Sequence, residues 1–442
     1  MNPLSYSYKD ILKIALPLMV SNFFYTLIAI TDIGFMKEIG VTEQAAIGYI
    51  ALIYLVFFMI GFSYTKGTQI LIAQKDGSRN FKAVGIILDN TIVELISTAL
   101  FLFLILTFFS YEILDFAIQD NDVLQASNEY LIIRKWGFFF SFIGSAMIAY
   151  YSGIGKTGVL ATAIITMSIT NIALNYILIF GKLGFPALGI KGAAYASNIA
   201  EFISMVILLS GIFMANRKAT HRLFYFNIIK WRVIGRITKL SSPLVVQTVI
   251  GLGAWIVFFT LIEKMGSNEL AASNIVKQLY TILGIPTFAL ASTTNTVIGN
   301  VVGQKKIQEV IPLLKRIIII SSLFILCFSL PAFIFPRAFI SAIAEESLIE
   351  ISVKPLYVAL LALQLYGFST VLFNCIASIG STLASLIVEI LVIIVYVIYL
   401  YFIFFVLDVE LAVVWTTEWV YWTTLALLSI AYLRFYSWKE KL

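Results

Sequence analysis

The chain has 442 residues, of which 60% are hydrophobic and only 12% are charged, with a formal net charge of +6 and a mean hydropathy of +0.97. This composition excludes an ordinary soluble globular protein, because soluble domains carry about 25% charged residues. A bilayer core about 30 Å thick requires about 20 apolar residues per spanning helix. Apolar runs of that length recur along the whole chain, so the sequence predicts an integral membrane protein.

In chain order, twelve apolar runs are separated by charged residues or by Gly and Pro. They predict helices at 11–36, 44–73, 84–110, 129–153, 158–181, 190–215, 240–262, 269–300, 309–335, 352–377, 383–407 and 411–434. Helices are favoured over barrel strands because lipid cannot satisfy free backbone groups and barrel strands would alternate in polarity. No small-residue cleavage site follows the first run, so we expect it to be retained.

The connections between these runs differ in charge. If the N-terminus is inside, the inner connections hold the basic residues and the outer ones hold mostly acids. The inner set is Lys75, Arg79, Lys82, Lys156, the block Arg217 to Lys239, Lys305, Lys306, Lys315 and Arg316, and the outer set is Glu112, Asp115, Asp120, Asp122, Glu345, Glu346, Asp408 and Glu410. By the positive-inside rule, both termini are expected in the cytoplasm. The positive net charge is thus a topology signal, and no nucleic-acid partner is expected.

The longest inner connection lies midway along the chain. Residues 216–239 are basic and aromatic, which suits either a short helix on an anionic leaflet or a plain linker that obeys the charge rule. This linker divides the chain into a predicted N-terminal lobe, residues 1–215, and a predicted C-terminal lobe, residues 240–442.

The two halves form a repeat. A shift of 226 residues pairs identical residues without a gap, including prolines, glycines and glutamates that a shared apolar composition would not align. The informative pairs are Pro17 with Pro243, Gly40 with Gly266, Glu43 with Glu269, Tyr54 with Tyr280 and Gly77 with Gly303, and a later match around Gly153 and Ser378 has an offset of 225. Six helices per half make the halves parallel repeats, which in transporters enclose the substrate and alternate its access.

Enzyme chemistry has few candidate residues in this sequence. Cys327 and Cys375 lie in apolar runs and the only histidine, His221, lies in the linker. A disulfide framework and a His/Cys metal site are therefore excluded. HExxH, a nucleophile elbow and a nucleotide-binding loop are also absent from the sequence, so an enzyme is not expected.

Several segments resemble the multidrug and toxic compound extrusion (MATE) family. They are ALPLMVSNFFYTLIAITDIGFMKEIGVTEQAAIG from Ala15, GTQILIAQKDGSRNFKAVG, the stretch from GIGKTGVL to GAAYAS, and ASNIVKQLYTILGIPTFALASTTNTVIGNVVGQ. The likeness runs from about residue 10 to residue 430. It implies a V-shaped arrangement of two six-helix lobes and an antiporter that takes up sodium ions or protons while it exports an organic, drug-like solute, with no further cofactor.

Asp32 is the first candidate for ion coupling. It lies in helix 1, about fifteen residues past Pro17, and an acid at membrane depth is functional by default because burying its charge is costly. Its repeat equivalent is Phe258, so the carboxylate belongs to one half only. The resemblance implies that Asn171, Asn175 and Ser197 lie opposite it, with Asn175 in a position where many family members have Asp. Amide and carboxylate oxygens can still coordinate a hard cation, so if sodium is the coupling ion its predicted site is Asp32, Asn171 and Asn175. Interhelical packing of the two amides is the structural alternative.

Other charged and polar residues lie within the predicted helices. Glu201 could supply a second carboxylate to the site in the N-terminal lobe. Gln247, Glu389, Glu418, Lys66 and Lys277 are candidates for a cavity, and the two lysines need partners because an unpaired ammonium is unstable in the membrane core. For these acids and amides, purely structural roles stay open.

Pro17 and Pro243 fall inside apolar runs, where a missing N–H and a ring clash favour a bend. We therefore expect hinges at both.

The function expected from the sequence is a cation-coupled antiporter that exports cationic or neutral amphiphilic solutes from a bacterial cell across the inner membrane, as a monomer in the bilayer. The alternative is a flippase for a lipid-linked saccharide, which would favour basic cavity residues over the acids seen here. A channel is a further alternative, against which the repeated halves argue.

Overall fold

The computed structural model describes residues 5–214, 217–225, 229–407, 409–436 and 438. Within this part of the chain all regular elements are helical. They are α1 Tyr8–Lys37, α2 Val41–Gly77, α3 Phe81–Phe108, α4 Ser110–Ala117, α5 Asn121–Arg134, α6 Gly137–Gly153, α7 Gly158–Phe180, α8 Ile190–Met214, α9 Arg217–His221, α10 Trp231–Glu263, α11 Ser267–Leu283, α12 Ile285–Gly303, a short 3-10 helix Ile307–Glu309, α13 Val310–Ile334, α14 Pro336–Ser341, α15 Glu346–Ser378, α16 Thr382–Phe405, α17 Leu411–Val414 and α18 Thr417–Phe435. The predicted all-α membrane fold is confirmed.

Three predicted spans are divided into two helices each. Helices α5 and α6 meet at an angle of 52° and α11 and α12 at 45°, and the run 411–434 is divided into α17 and α18. Pro286 at the start of α12 explains the second bend, because its backbone nitrogen donates no hydrogen bond. Among the described residues, nine helices are long and apolar enough to cross a membrane, or eleven spans if each bent pair is one span.

The linker differs from its prediction. Its residue 216 and residues 226–228 lie outside the described residues, as does Asp408. A short helix is present at Arg217–His221, but α10 already begins at Trp231, inside the predicted linker. The remaining linker is attached to α3, since Asp89 accepts hydrogen bonds from the backbone nitrogens of Phe224 at 2.9 Å and Tyr225 at 3.1 Å. Buried backbone donors need such partners.

The chain forms two compact units. One is Val20–Ser241, called the first unit here, and the other combines Met1–Met19 with Ser242–Leu442. The start of the chain is attached to the second unit because Ser5 N donates to Glu309 at 2.8 Å and Arg316 donates to the Tyr6 carbonyl at 2.7 Å. The lobe limits 1–215 and 240–442 stay a prediction, because the units have other limits. The first turns of α1 belong to the second unit, and the first turns of α10 belong to the first unit.

Small residues allow the helices of the first unit to approach closely. A Cβ atom on Gly192 of α8 would lie 2.6 Å from the Leu178 carbonyl of α7, and one on Gly153 of α6 would lie 2.7 Å from Ile72 of α2. Glycine at such crossings brings backbones together in lipid, where apolar side chains give little drive to associate. The close α7–α8 contact positions the polar residues described next.

The core of the second unit is apolar and aromatic. Phe258 of α10 is 2% exposed and packs edge-on against Trp415, with 5.4 Å between the ring centroids. Helix α16 is strongly apolar and exposes Leu383, Ile387 and Ile398. An apolar face of this kind suits contact with lipid.

Candidate functional site

A chain of hydrogen bonds joins three helices of the first unit. The Asn175 side chain of α7 donates to Asp32 Oδ1 of α1 at 2.6 Å and to Asn171 Oδ1 at 3.1 Å, and the Asn171 side chain donates to Ser197 Oγ of α8 at 3.3 Å. Asn171 and Asn175 lie one turn apart, so both face the same neighbours. The four residues implied by the family resemblance are therefore adjacent in space.

One oxygen in this hydrogen-bonded cluster accepts no hydrogen bond. Asn171 and Asn175 are buried, and the Asn175 Oδ1 atom has no hydrogen-bond partner. A buried oxygen without a donor is unusual and calls for an explanation such as a water or an ion. The oxygen belongs to the same amide that donates to the Asp32 carboxylate, and the two types of oxygen are ones that a hard cation prefers.

Asp32 and Ser197 line a cavity of about 360 Å³ inside the first unit. Its walls are mainly aliphatic and aromatic, as in sites that accept varied ligands. The polar and charged lining consists of Tyr25, Asp32, Tyr54, Tyr130, Arg134, Ser141, Ser197, Glu201 and Ser204.

A second cluster in the cavity is built on an ion pair between α5 and α8. Arg134 donates to both oxygens of Glu201, from Nη1 to Oε2 at 2.9 Å and from Nη2 to Oε1. Nη1 also donates to Asn198 Oδ1 at 2.8 Å. This bidentate geometry is the strong form of an Arg–carboxylate contact, and the side chains are only 8% and 18% exposed.

Tyr54 of α2 supports the ion pair from one face. Its ring centroid lies 3.9 Å from Arg134 Cζ, and it stacks on Phe138 with 4.6 Å between the ring centroids. Its hydroxyl is 2.9 Å from Ser141 Oγ. A guanidinium over an aromatic face is attracted by the ring quadrupole, so the tyrosine fixes the arginine in position.

Arg134, Tyr54 and Tyr130 were not predicted as site residues. Arg134 stands within the predicted span 129–153, and a base at such depth was a usable signal. Its acidic partner is 67 residues away, and no spacing rule joins the two.

The remaining candidates lie outside this cavity. Gln247 donates to Ser385 at 2.6 Å, Glu389 accepts from the Tyr421 hydroxyl at 2.6 Å, and Glu418 accepts from Trp422 at 2.9 Å and Tyr280 at 3.3 Å. All three polar residues belong to the second unit, where aromatic side chains donate to one oxygen of each carboxylate. Their role in a cavity stays a prediction.

The two intramembrane lysines have aromatic neighbours. Lys66 Nζ lies 5.8 Å from the Phe62 ring centroid and Lys277 Nζ lies 4.6 Å from that of Phe259. Within the described part of the chain neither forms an ion pair. Contact with a ring gives partial compensation of an ammonium charge.

The second unit does not repeat the site. The repeat equivalent of Asp32 is Phe258 by the offset of 226, and those of Asn171 and Asn175 are Tyr396 and Leu400 by the offset of 225 found around Gly153 and Ser378. All three are at most 2% exposed in the core of the second unit. Pro17 and Pro243 lie inside the continuous helices α1 and α10, so their hinge role stays a prediction. Among the described residues, no three His, Cys, Asp or Glu side chains could hold a metal ion together.

Two helical units related by one repeat, with a largely apolar cavity that holds a few charged groups in one of them, are typical of a polytopic membrane transporter. The family model MatE matches residues 17–177 and 243–403, two segments with the same spacing as the internal repeat. The chain therefore belongs to the MATE family, whose members are transporters and not enzymes. The predicted family and repeat are confirmed.

Individual proteins of this family resemble the chain over most of its length. The Probable multidrug resistance protein NorM of Thermotoga maritima is 24% identical over 389 residues, which cover 86% of this chain and 82% of the relative. A crystal structure of MATE in complex with MaL6 has a TM-score of 0.90 at 18% identity and covers 98% of this chain and 97% of its own. An outward-facing multidrug resistance MATE transporter of the MOP superfamily has a TM-score of 0.89 at 17% identity and covers 97% and 95%.

Proposed function

We propose that this protein is a cation-coupled antiporter that exports organic, drug-like solutes, cationic or neutral and amphiphilic, by alternating access. The observation that carries the proposal is the Asp32 carboxylate beside the unsatisfied Asn175 oxygen, at the wall of a largely apolar cavity. A carboxylate in such a setting binds a cation strongly because little water competes for it.

The coupling ion is a proton or a sodium ion. A proton would neutralise Asp32 directly, and sodium would take oxygens from Asp32, Asn171 and Asn175. In either case the ion and a cationic solute depend on one carboxylate, so binding of the ion weakens binding of the solute. Reciprocal coupling of this kind is what an antiporter requires.

The substrate class is argued from the cavity and from the relatives. About 360 Å³ is the size of a drug-binding site, with aliphatic and aromatic walls and few polar groups. The matched relative from Thermotoga maritima is named a probable multidrug resistance protein. A lipid-linked saccharide flippase, the alternative from the sequence, has no support among the matched proteins.

We propose that the protein is located in the bacterial inner membrane and that both of its termini lie in the cytoplasm. We also propose that it functions as a monomer. The orientation is argued from the basic residues of the inner connections.

The test is ethidium transport by purified protein in liposomes, under an imposed sodium gradient or an imposed pH gradient, each alone. We expect one of them to drive transport in the wild type and Asp32→Asn to abolish the gradient-driven part. Asp115→Asn, at an exposed position of α4, is the matched control and should retain transport. Full gradient-driven transport by Asp32→Asn, or wild-type transport driven by neither gradient, contradicts the proposal.

A further inference from the structure

We propose that Arg134 is the charge-compensating residue of the cavity: its pairing with Glu201 leaves Asp32 as the one carboxylate that exchanges a cation, so each transport cycle moves one coupling ion. This inference rests on the proposed function and specifies the ion stoichiometry of the same site. It differs from the sequence expectation, in which Glu201 supplies a second coupling carboxylate.

The cavity has one negative charge in excess. Asp32, Arg134 and Glu201 are the charged side chains among the described residues that line it. Two acids and one base give the cavity a formal charge of minus one. A single monovalent cation, inorganic or organic, neutralises that charge, and a neutral cavity costs least at membrane depth.

Glu201 is already paired with a fixed cation inside the protein. Both of its oxygens contact the Arg134 guanidinium, and the Tyr54 hydroxyl lies 3.5 Å from Oε2. The arginine is itself held by Asn198 at 2.8 Å and by the Tyr54 ring. Because a guanidinium keeps its proton throughout the physiological range, Glu201 has a permanent internal counterion.

Asp32, unlike Glu201, is bound by a neutral group. Its Oδ1 atom accepts a hydrogen bond from the neutral amide of Asn175 at 2.6 Å. In the described chain Asp32 forms no ion pair. The charge of Asp32 is therefore the one that an incoming cation can neutralise. Arg134 is a positioning residue, because it affects ion coupling only by neutralising Glu201.

The experiment is a zero-flux measurement on full-length protein in liposomes, with ethidium as the probe and the membrane potential clamped to zero by potassium and valinomycin. A tenfold gradient of the driving ion is imposed and the ethidium ratio that stops net flux is determined. Because the free energies of the gradients add, the balancing ratio is about tenfold for one ion and about a hundredfold for two. We expect about tenfold for the wild type, and a hundredfold ratio would overturn the inference.

Two variants distinguish charge compensation of Glu201 by Arg134 from a purely structural role of Arg134. Arg134→Gln removes the counterion and frees Glu201, so the balancing ratio should rise toward a hundredfold. Arg134→Gln combined with Glu201→Gln removes both charges and should return it to about tenfold. An unchanged ratio in a folded Arg134→Gln protein overturns the inference, and if that variant does not fold, the wild-type ratio decides. Flux driven by neither ion gradient in the wild type contradicts the proposed function instead.

Discussion

Asp32 and Glu201 illustrate how two carboxylates in one cavity receive different partners. Glu201 faces a guanidinium on α5, whereas Asp32 faces a neutral amide on α7. Both acids were visible in the sequence, since each stands within an apolar run. Their difference was not visible, because the partner of each lies on another helix, 67 residues away for Glu201 and 143 for Asp32.

The Asn175 amide should set the ion affinity of the site. Asn175→Leu keeps a similar volume and places at this position the residue found at its repeat equivalent, Leu400. If sodium is the coupling ion, we expect the sodium concentration for half-maximal flux to rise, because the Asn175 oxygen ligand is lost. If it is a proton, we expect half-maximal flux at a proton concentration about tenfold lower, because the lost hydrogen bond stabilised the ionised Asp32 by about 1.5–3 kcal/mol. The measurement is ethidium flux against ion concentration. Ser168→Ala, at a buried hydroxyl on α7 without a partner, is the control, and an equal shift in both variants contradicts the prediction.

The Arg134–Glu201 pair should also be important for stability. Removing one partner of a buried pair costs about 3–5 kcal/mol, so Arg134→Gln should unfold at a lower temperature than the wild type. The measurement is thermal unfolding in detergent, with size-exclusion chromatography used to measure the folded fraction after heating at each temperature. The matched control is Arg337→Gln, whose pair with Glu350 is 71% exposed on both sides and should contribute no more than about 1 kcal/mol. Equal effects of the two changes would contradict this prediction.

At the scale of the element, helix boundaries followed from hydropathy because lipid demands long, internally hydrogen-bonded segments. The predicted run 158–181 is α7 at Gly158–Phe180, and 383–407 is α16 at Thr382–Phe405. The breaks within spans were missed, for example between α5 and α6. Hydropathy averages over a window and is insensitive to a two-residue interruption.

The contact between α2 and the first turns of α10 should tolerate no added side chain at Gly67. A Cβ atom there would lie 2.2 Å from Ser241 Oγ and 2.9 Å from its Cα. We expect Gly67→Ala to destabilise the protein by about 1–3 kcal/mol, as overpacking does. Gly48→Ala, on the same helix with no atom within 4 Å, should be neutral. Thermal unfolding of both variants in detergent tests this, and a stable Gly67→Ala protein would refute it.

On the scale of the whole molecule, the repeat and the chemistry have different symmetry. MatE matches both halves, yet the positions equivalent to Asp32, Asn171 and Asn175 are filled by buried Phe258, Tyr396 and Leu400 in the second unit. The two halves therefore share the helical fold, whereas the polar residues of the site are present only in the first unit. Ion coupling is accordingly expected from the first unit.

The proposed orientation can be tested by cysteine labelling. In a Cys327→Ser background, which removes the exposed native thiol, Lys82→Cys should react with a membrane-impermeant maleimide only in inside-out vesicles. Gln119→Cys, in the connection before α5, should react only in intact cells. This follows from the basic inner connections. The reverse labelling pattern would place both termini outside.

The sequence by itself determined the membrane class, most helix spans and the repeat, and it marked Asp32 as a candidate, because each depends on hydropathy or on local order along the chain. The tertiary structure decided which polar groups meet. It joined Asp32 to Asn175, and it joined Glu201 to an arginine that the sequence analysis had not singled out. Those partners are set by helix packing, where glycines on α6 and α8 bring neighbouring helices into contact, and no pattern along the chain encodes such contacts directly.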